Sequence, residues 1–281
     1  MHIELGQKII DKIRRKKVIK HKNENYPESK LFIPELGKTL PSDTEINITD
    51  EYVEICGIKY VPIDYYNGVA ECFGRHDYKF GGIKDCIFID VGANIGDSAL
   101  FAATQEHIQK IYAYEPFPKT YNILKQNIEL NPQYSSKIEI FNYGWSNQNN
   151  ELSTSFSDNF TEINSVHKWF YDTMFGGNNL FDYNNTTKIQ IRTSSEILSD
   201  IIAQNPNQKI VLKLDVEGSE YEIIEDLDKS DLLKSVDLII MEWHYRGYES
   251  LTEILEKNGF IWFNHRIMDN VGILRAVRNN K

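Results

Sequence analysis

Apolar runs that end in an acidic residue and lead into a helical pattern recur along this chain. Residues 87–89 run into Asp90, 111–114 into Glu115, 210–214 into Asp215, and 238–241 into Glu242 and His244. Runs without polar alternation mark strands buried on both faces, as in a parallel sheet. After Asp90 come Ala99, Leu100, Phe101, Ala102 and Ala103, mostly good helix formers. Asp97 and Ser98 suit the first turn, where free amides and the positive dipole end favour oxygen. Phe117, Tyr121, Leu124 and Ile128 share a second helical face, with Pro118 in its first turn and Asn131–Pro132 at its stop. Residues 137–141 read as a third strand, 188–193 as another, and 194–204 as a short helix. Ser219 and Glu222 have capping-box spacing, and Asn258 with Gly259 closes a helix begun near Tyr248. FIWFNHRI and VGILRAVRN pair as closing antiparallel strands. Strand and helix in alternation predict an α/β domain on a mostly parallel sheet.

The remaining segments follow other rules. Ile3, Ile9, Ile10, Ile13 and Val18 lie among many cations, so residues 3–20 read as a basic amphipathic helix. Such a helix packs on its own domain or a second subunit, giving a homodimer, or lies on an anionic surface. Residues 21–43, with three prolines, read as an irregular linker. Residues 45–64 alternate as two short strands with a turn near Gly57. The polar approach over 67–83, with Glu71 and Tyr78, either closes over the methionine end of a cofactor or is a solvated turn. Residues 147–187 hold nine Asn and eight aromatics and read as a substrate lid. The chain thus divides into an N-terminal extension, 1–44, and one domain, 45–281, carrying the lid.

Charge narrows the partners. The net charge is −10, but residues 1–22 carry eight Lys or Arg against Glu4 and Asp11, leaving a body at −16. An acidic body has no phosphate-binding footprint, which disfavours nucleic acid. Three cysteines without a CxxC pair suggest neither disulfides nor zinc, and all three read as core residues. With no signal-like apolar centre at the start and no spanning run, the expected compartment is the cytoplasm.

The loop after Asp90 carries the chemistry. Gly92 and Gly96 sit at GxxxG spacing, not the GxGxxG of dinucleotide sites, and Asp90 and Asp97 flank them. Carboxylates repel pyrophosphate but attract the sulfonium and ammonium of S-adenosylmethionine. Glu115 ends the next strand, where an acid accepts ribose hydroxyls. Tyr143, Gly144 and Trp145 follow the third strand, so the aromatics flank an adenine or fill core.

FIDVGANIGDSAL, YAYEPFPKTYNILKQNI, LKLDVEGSEYEII and the strand ending MEWH together resemble the FkbM family of S-adenosylmethionine-dependent methyltransferases over residues 85–279. That resemblance implies the class I Rossmann-like fold, a seven-stranded sheet with a reversed last strand. It also implies a cofactor held by Asp90, Gly92, Asn94, Gly96 and Glu115; beside these, position along the chain sets Asp97, Ser98, Pro116, Tyr143, Gly144, Trp145, Glu71 and Tyr78 as further candidates around it. The family acts mainly on hydroxyls, often of sugars in surface polysaccharides or natural products, so a small sugar or nucleotide sugar is the expected acceptor.

An alcohol needs alignment and loss of a proton to accept a methyl group. Related O-methyltransferases place carboxylates after the fourth and fifth strands to bind a divalent cation, and Asp215 and Glu242 stand at those points. The expectation is a Mg²⁺ or Mn²⁺ site of Asp215, Glu242 and His265. His265 serves as third ligand or general base, with His244 as its substitute. A nicotinamide oxidoreductase is disfavoured by the loop spacing and its acids. A non-catalytic binding protein on the same frame is the alternative outside enzymes.

Overall fold

The computed structural model describes residues 19–21, 44, 46–63, 67–156, 161, 164–167 and 186–279. Its centre is a seven-stranded sheet built from Cys86–Val91 (β5), Ile108–Tyr114 (β6), Ile138–Phe141 (β7), Lys209–Leu214 (β11), Leu238–His244 (β12), Phe260–Met268 (β13) and Val271–Arg278 (β14). In space the strands run β13-β14-β12-β11-β5-β6-β7. The first strand in sequence, β5, therefore lies mid-sheet with β11 and β6 on either side, both parallel to it. Every residue of β5 is buried, as its unbroken apolar run requires. β14 is antiparallel to both β12 and β13, so it alone reverses, and the expected fold is the one observed.

Helices cover both faces. Asp97–Ala103 (α1) and Pro118–Leu130 (α2) contribute Leu100, Leu124 and Ile128 to one core. Ser194–Gln204 (α3), Glu220–Lys229 (α4) and Glu249–Lys257 (α5) supply Leu198, Ile224 and Leu255 to the other. The two layers bury what the 3.6-residue period places on each helix's inner face.

A small sheet, Ile19–His21 (β1), Ile46–Ile48 (β2), Val53–Ile55 (β3) and Ile58–Tyr60 (β4), precedes this body. Residues 46–60 thus form three strands, not two. Asp50 and Glu51 make the first turn, and Cys56 (φ +53°) with Gly57 (φ +79°) makes a two-residue hairpin turn of the primed type. Cys56 is consequently exposed, while Cys72 and Cys86 are buried as expected. The expected basic helix lies outside the described residues except at its last positions, where Ile19 and Lys20 are strand.

Gly144–Ser146 (β8), Asn150–Ser155 (β9) and Thr186–Thr193 (β10) form a third sheet, ordered β8-β10-β9. The insertion expected from residue 147 therefore has a β-stem at both ends, and β10 starts at Thr186. Its described inner residues are 161 and 164–167; the rest of the expected lid lies outside the described residues.

Candidate active site

The carboxyl ends of β5, β6, β11 and β12 open into a cavity of about 480 Å³, where ligands bind in open α/β sheets. Of the candidate residues, Glu71, Tyr78, Gly92, Asn94, Asp97, Ser98, Glu115, Pro116, Gly144, Trp145, Asp215, Glu242 and His244 line it. Six carboxylates line it, from Glu71, Asp97, Glu115, Asp215, Glu217 and Glu242, against the fixed cations of Arg75 and Lys213.

Four expected residues stand elsewhere. Asp90 is fully buried beneath the cavity; Ser98 Oγ donates to its Oδ2 at 2.6 Å, and the Lys213 ammonium lies 3.0 Å from Oδ1. Gly96 meets its helix neighbours, since a β-carbon there would overlap Leu124. Tyr143 stacks under the Arg192 guanidinium at 4.0 Å, outside the cavity. His265 is exposed on β13, with β14 standing between that strand and β12, so it does not join Asp215 and Glu242. Trp145 lines the cavity while also packing in the core at 2% exposure, and its Nε1 has no hydrogen-bond partner.

Lys213 is the organising residue that sequence reasoning missed. Its Nζ donates to the Gly92 carbonyl at 2.6 Å, pairs with Asp90, and lies 3.7 Å from Asp215. Burial alone would lower its pKa, but Asp90 and Asp215 raise it, so it stays charged. It joins the ends of β5 and β11. Gly92 is needed there because a β-carbon would overlap the Asp215 carbonyl, and its φ of +80° suits glycine. The signal was a lysine inside the apolar run IVLKL.

At the cofactor side, Glu115 accepts the N–H of Asn94 at 3.0 Å and of Phe117 at 2.9 Å. Burial nevertheless lifts its pKa to about 8, and burial lifts Asp97 to about 6 against the pull of Lys213. On the other side Tyr78 donates to Asp215 Oδ2 at 3.1 Å. Glu242 is raised to about 7, first by burial and then by Asp215; Glu71 is raised to about 8 by burial, Glu242 and Asp215. Oxygens of Glu71, Asp215 and Glu242 approach within 4.8 Å of one another, as do ligand atoms of Asp215, Glu217 and His244. Two cations already stand against the first group, Arg75 at 3.2 Å from Glu71 and Lys213 beside Asp215. Both cations are shared with further acids, Arg75 with Asp77 and Lys213 with Asp90, so they offset only part of the charge a divalent ion would meet there.

The turn after Asp215 differs from expectation. Ser219 makes no side-chain cap to α4. Its Oγ instead meets His167 Nε2 at 3.0 Å, and Ser165 Oγ donates to the Glu217 carbonyl at 2.7 Å. Asn164 and Val166 line the cavity, so the described part of the insertion does border the site.

The family model described as the methyltransferase FkbM domain matches residues 90–262. The chain is 26% identical over 238 residues to Methyltransferase sdnD of Sordaria araneosa, covering 75% of this chain and 89% of that one. It is 24% identical over 197 residues to Methyltransferase 1 of Beauveria bassiana (strain ARSEF 2860), covering 63% and 72%. The crystal structure of Methyltransferase FkbM from Methylobacillus flagellatus KT superposes with a TM-score of 0.45 at 15% identity. It covers 70% of this chain, which spans 44% of that one.

Proposed function

Because the chain belongs to the FkbM methyltransferase family, we propose that it transfers the methyl group of S-adenosylmethionine to a hydroxyl of a small sugar acceptor. The observation that carries this reading is the excess of carboxylate over cation in the cavity at the strand ends. S-adenosylmethionine supplies a methyl group already made electrophilic by its sulfonium. Glu115, under the Gly loop, is placed to accept ribose hydroxyls. The acid-rich lining favours the sulfonium and ammonium by Coulomb attraction in a poorly solvated space. Trp145 lines the same cavity.

The chain's remaining task is to align the acceptor and take its proton. Asp215 is immobilised by Tyr78 and Lys213, so it serves as a fixed acceptor for a second hydroxyl of the acceptor, next to the one that reacts. Glu242, with a pKa of about 7, is the general base; a base matched to the working pH contributes about 10² to 10⁴-fold. His265 has no part, and the reading runs without a metal ion, because Glu242 takes the proton and Arg75 and Lys213 already stand beside the carboxylates. Transfer is expected to survive thorough chelation.

Radiolabelled S-adenosylmethionine incubated with a panel of free and nucleotide-linked sugars tests the activity. Asp215→Ala should abolish transfer yet keep cofactor affinity, and the wild-type rate should rise with pH through about 7 as Glu242 loses its proton. An active Asp215→Ala variant would refute its role.

A further inference from the structure

Outside the groups used above, the most tightly built polar cluster is centred on a side chain with no surface at all. Glu220 opens α4 at 0% exposure. Its Oε1 lies 2.9 Å from His244 Nδ1, and its two oxygens accept the N–H of Gly218 at 3.1 and 3.3 Å and of Val216 at 3.3 Å. A carboxylate facing Nδ1 requires a proton on that nitrogen, so the other nitrogen, Nε2, is turned toward the cavity. There it meets Glu217 Oε2 at 3.4 Å and Glu242 Oε1 at 4.0 Å, with Asp215 in the same group.

The turn that delivers Glu217 is strained. Glu217 has φ +51° and Gly218 has φ +109°. A non-glycine residue in the left-handed region persists only where its surroundings over-determine it, and such residues gather at functional sites. Here the surroundings are Glu220 below, through the amides of Val216 and Gly218, and Ser165 above, through the Glu217 carbonyl.

We propose that Glu220 is a positioning residue: its buried carboxylate aims the His244 imidazole at the cavity and holds the strained turn, so that His244 Nε2 stands between Glu217 and Glu242 and fixes both. The consequence for methyl transfer rests on the reading above; the orientation of His244 does not. Oε1 takes the ring and the Val216 amide while Oε2 takes the shorter bond from Gly218. In Glu220→Gln one oxygen becomes an NH2 donor, which must face either the His244 Nδ1 proton or the Gly218 amide, and the negative charge beside the ring is lost.

The test is long-range ¹H–¹⁵N spectroscopy of the histidine rings in the full-length protein, with S-adenosylmethionine affinity and transfer rate measured alongside. Wild type should show His244 protonated at Nδ1. Glu220→Gln should move the His244 ring resonances and lower kcat by about 10²-fold, the lower bound for a positioned proton-transfer group, with cofactor affinity unchanged. Glu220→Asp, which keeps both acceptors, should recover part of the rate and serves where the Gln variant folds poorly. In a His244→Gln background Glu220→Gln should cost clearly less than it does alone, since the part of its effect that runs through the ring is already lost. Unchanged ring resonances in Glu220→Gln, or a full additional loss in the double variant, would overturn the proposal. Ring shifts as described in a protein that transfers no methyl group would uphold the positioning and overturn the transfer reading alone.

Discussion

Lys213 shows how one residue changes the meaning of others. Asp90 was expected against the cofactor, yet its oxygens are spent on Lys213 and Ser98 beneath the loop. Its negative charge acts one layer down, by holding the cation that fixes Gly92 and Asp215. Removing one partner of a buried pair leaves the other uncompensated, which costs about 3–5 kcal/mol. Lys213→Met should therefore lose roughly that much stability in urea unfolding, and Asp90→Asn/Lys213→Met together should lose less than the sum. An additive double variant would show that the two charges do not interact. The run IVLKL contained the clue, but only coordinates reveal that the lysine points at Gly92 and not at solvent.

Elements were legible where period and punctuation agreed. The strands ending in Asp90, Glu115, Asp215 and Glu242, the helices after them and the reversed final strand followed from apolar runs and their stops. The misreadings lie where short-range pattern competes with tertiary contact. Ser219 and Glu222 have capping-box spacing, but His167 and the strained turn claim their neighbourhood. The attachment of the small N-terminal sheet was also illegible. Asn127 on α2 and Asn131 at its C-cap bond to Val61 and to both main-chain groups of Lys59. Two amides thus dock a strand edge on a helix. Asn131→Ala leaves the Lys59 amide and carbonyl without these partners and should cost about 1–3 kcal/mol. Hydrogen exchange should quicken first in residues 53–60; uniform acceleration across the domain would contradict this local docking.

The whole molecule gathers acids at one sheet edge, and the surplus charge sets its response to pH and ligand. Sequence showed which acids end strands and named Glu71 near the cofactor, but not that Glu217 would join them from a strained loop. Glu115 and Glu71, usually near 4.5, are raised by burial to about 8. Between those values the folded state holds protons that the unfolded chain has lost, so their contribution to stability is full below about 4.5 and declines toward pH 8. The ligand-free protein should accordingly melt at lower temperature at pH 8 than at pH 6; a rise over that interval would mean these groups titrate normally. A bound cationic ligand restores charge to the acids by displacing their protons. The most direct measurement is calorimetric titration with S-adenosylmethionine at pH 7 in buffers of different ionisation enthalpy, with NAD as control. The account predicts binding with net proton release for S-adenosylmethionine and no heat for NAD; no binding of S-adenosylmethionine, or binding with proton uptake, would contradict it.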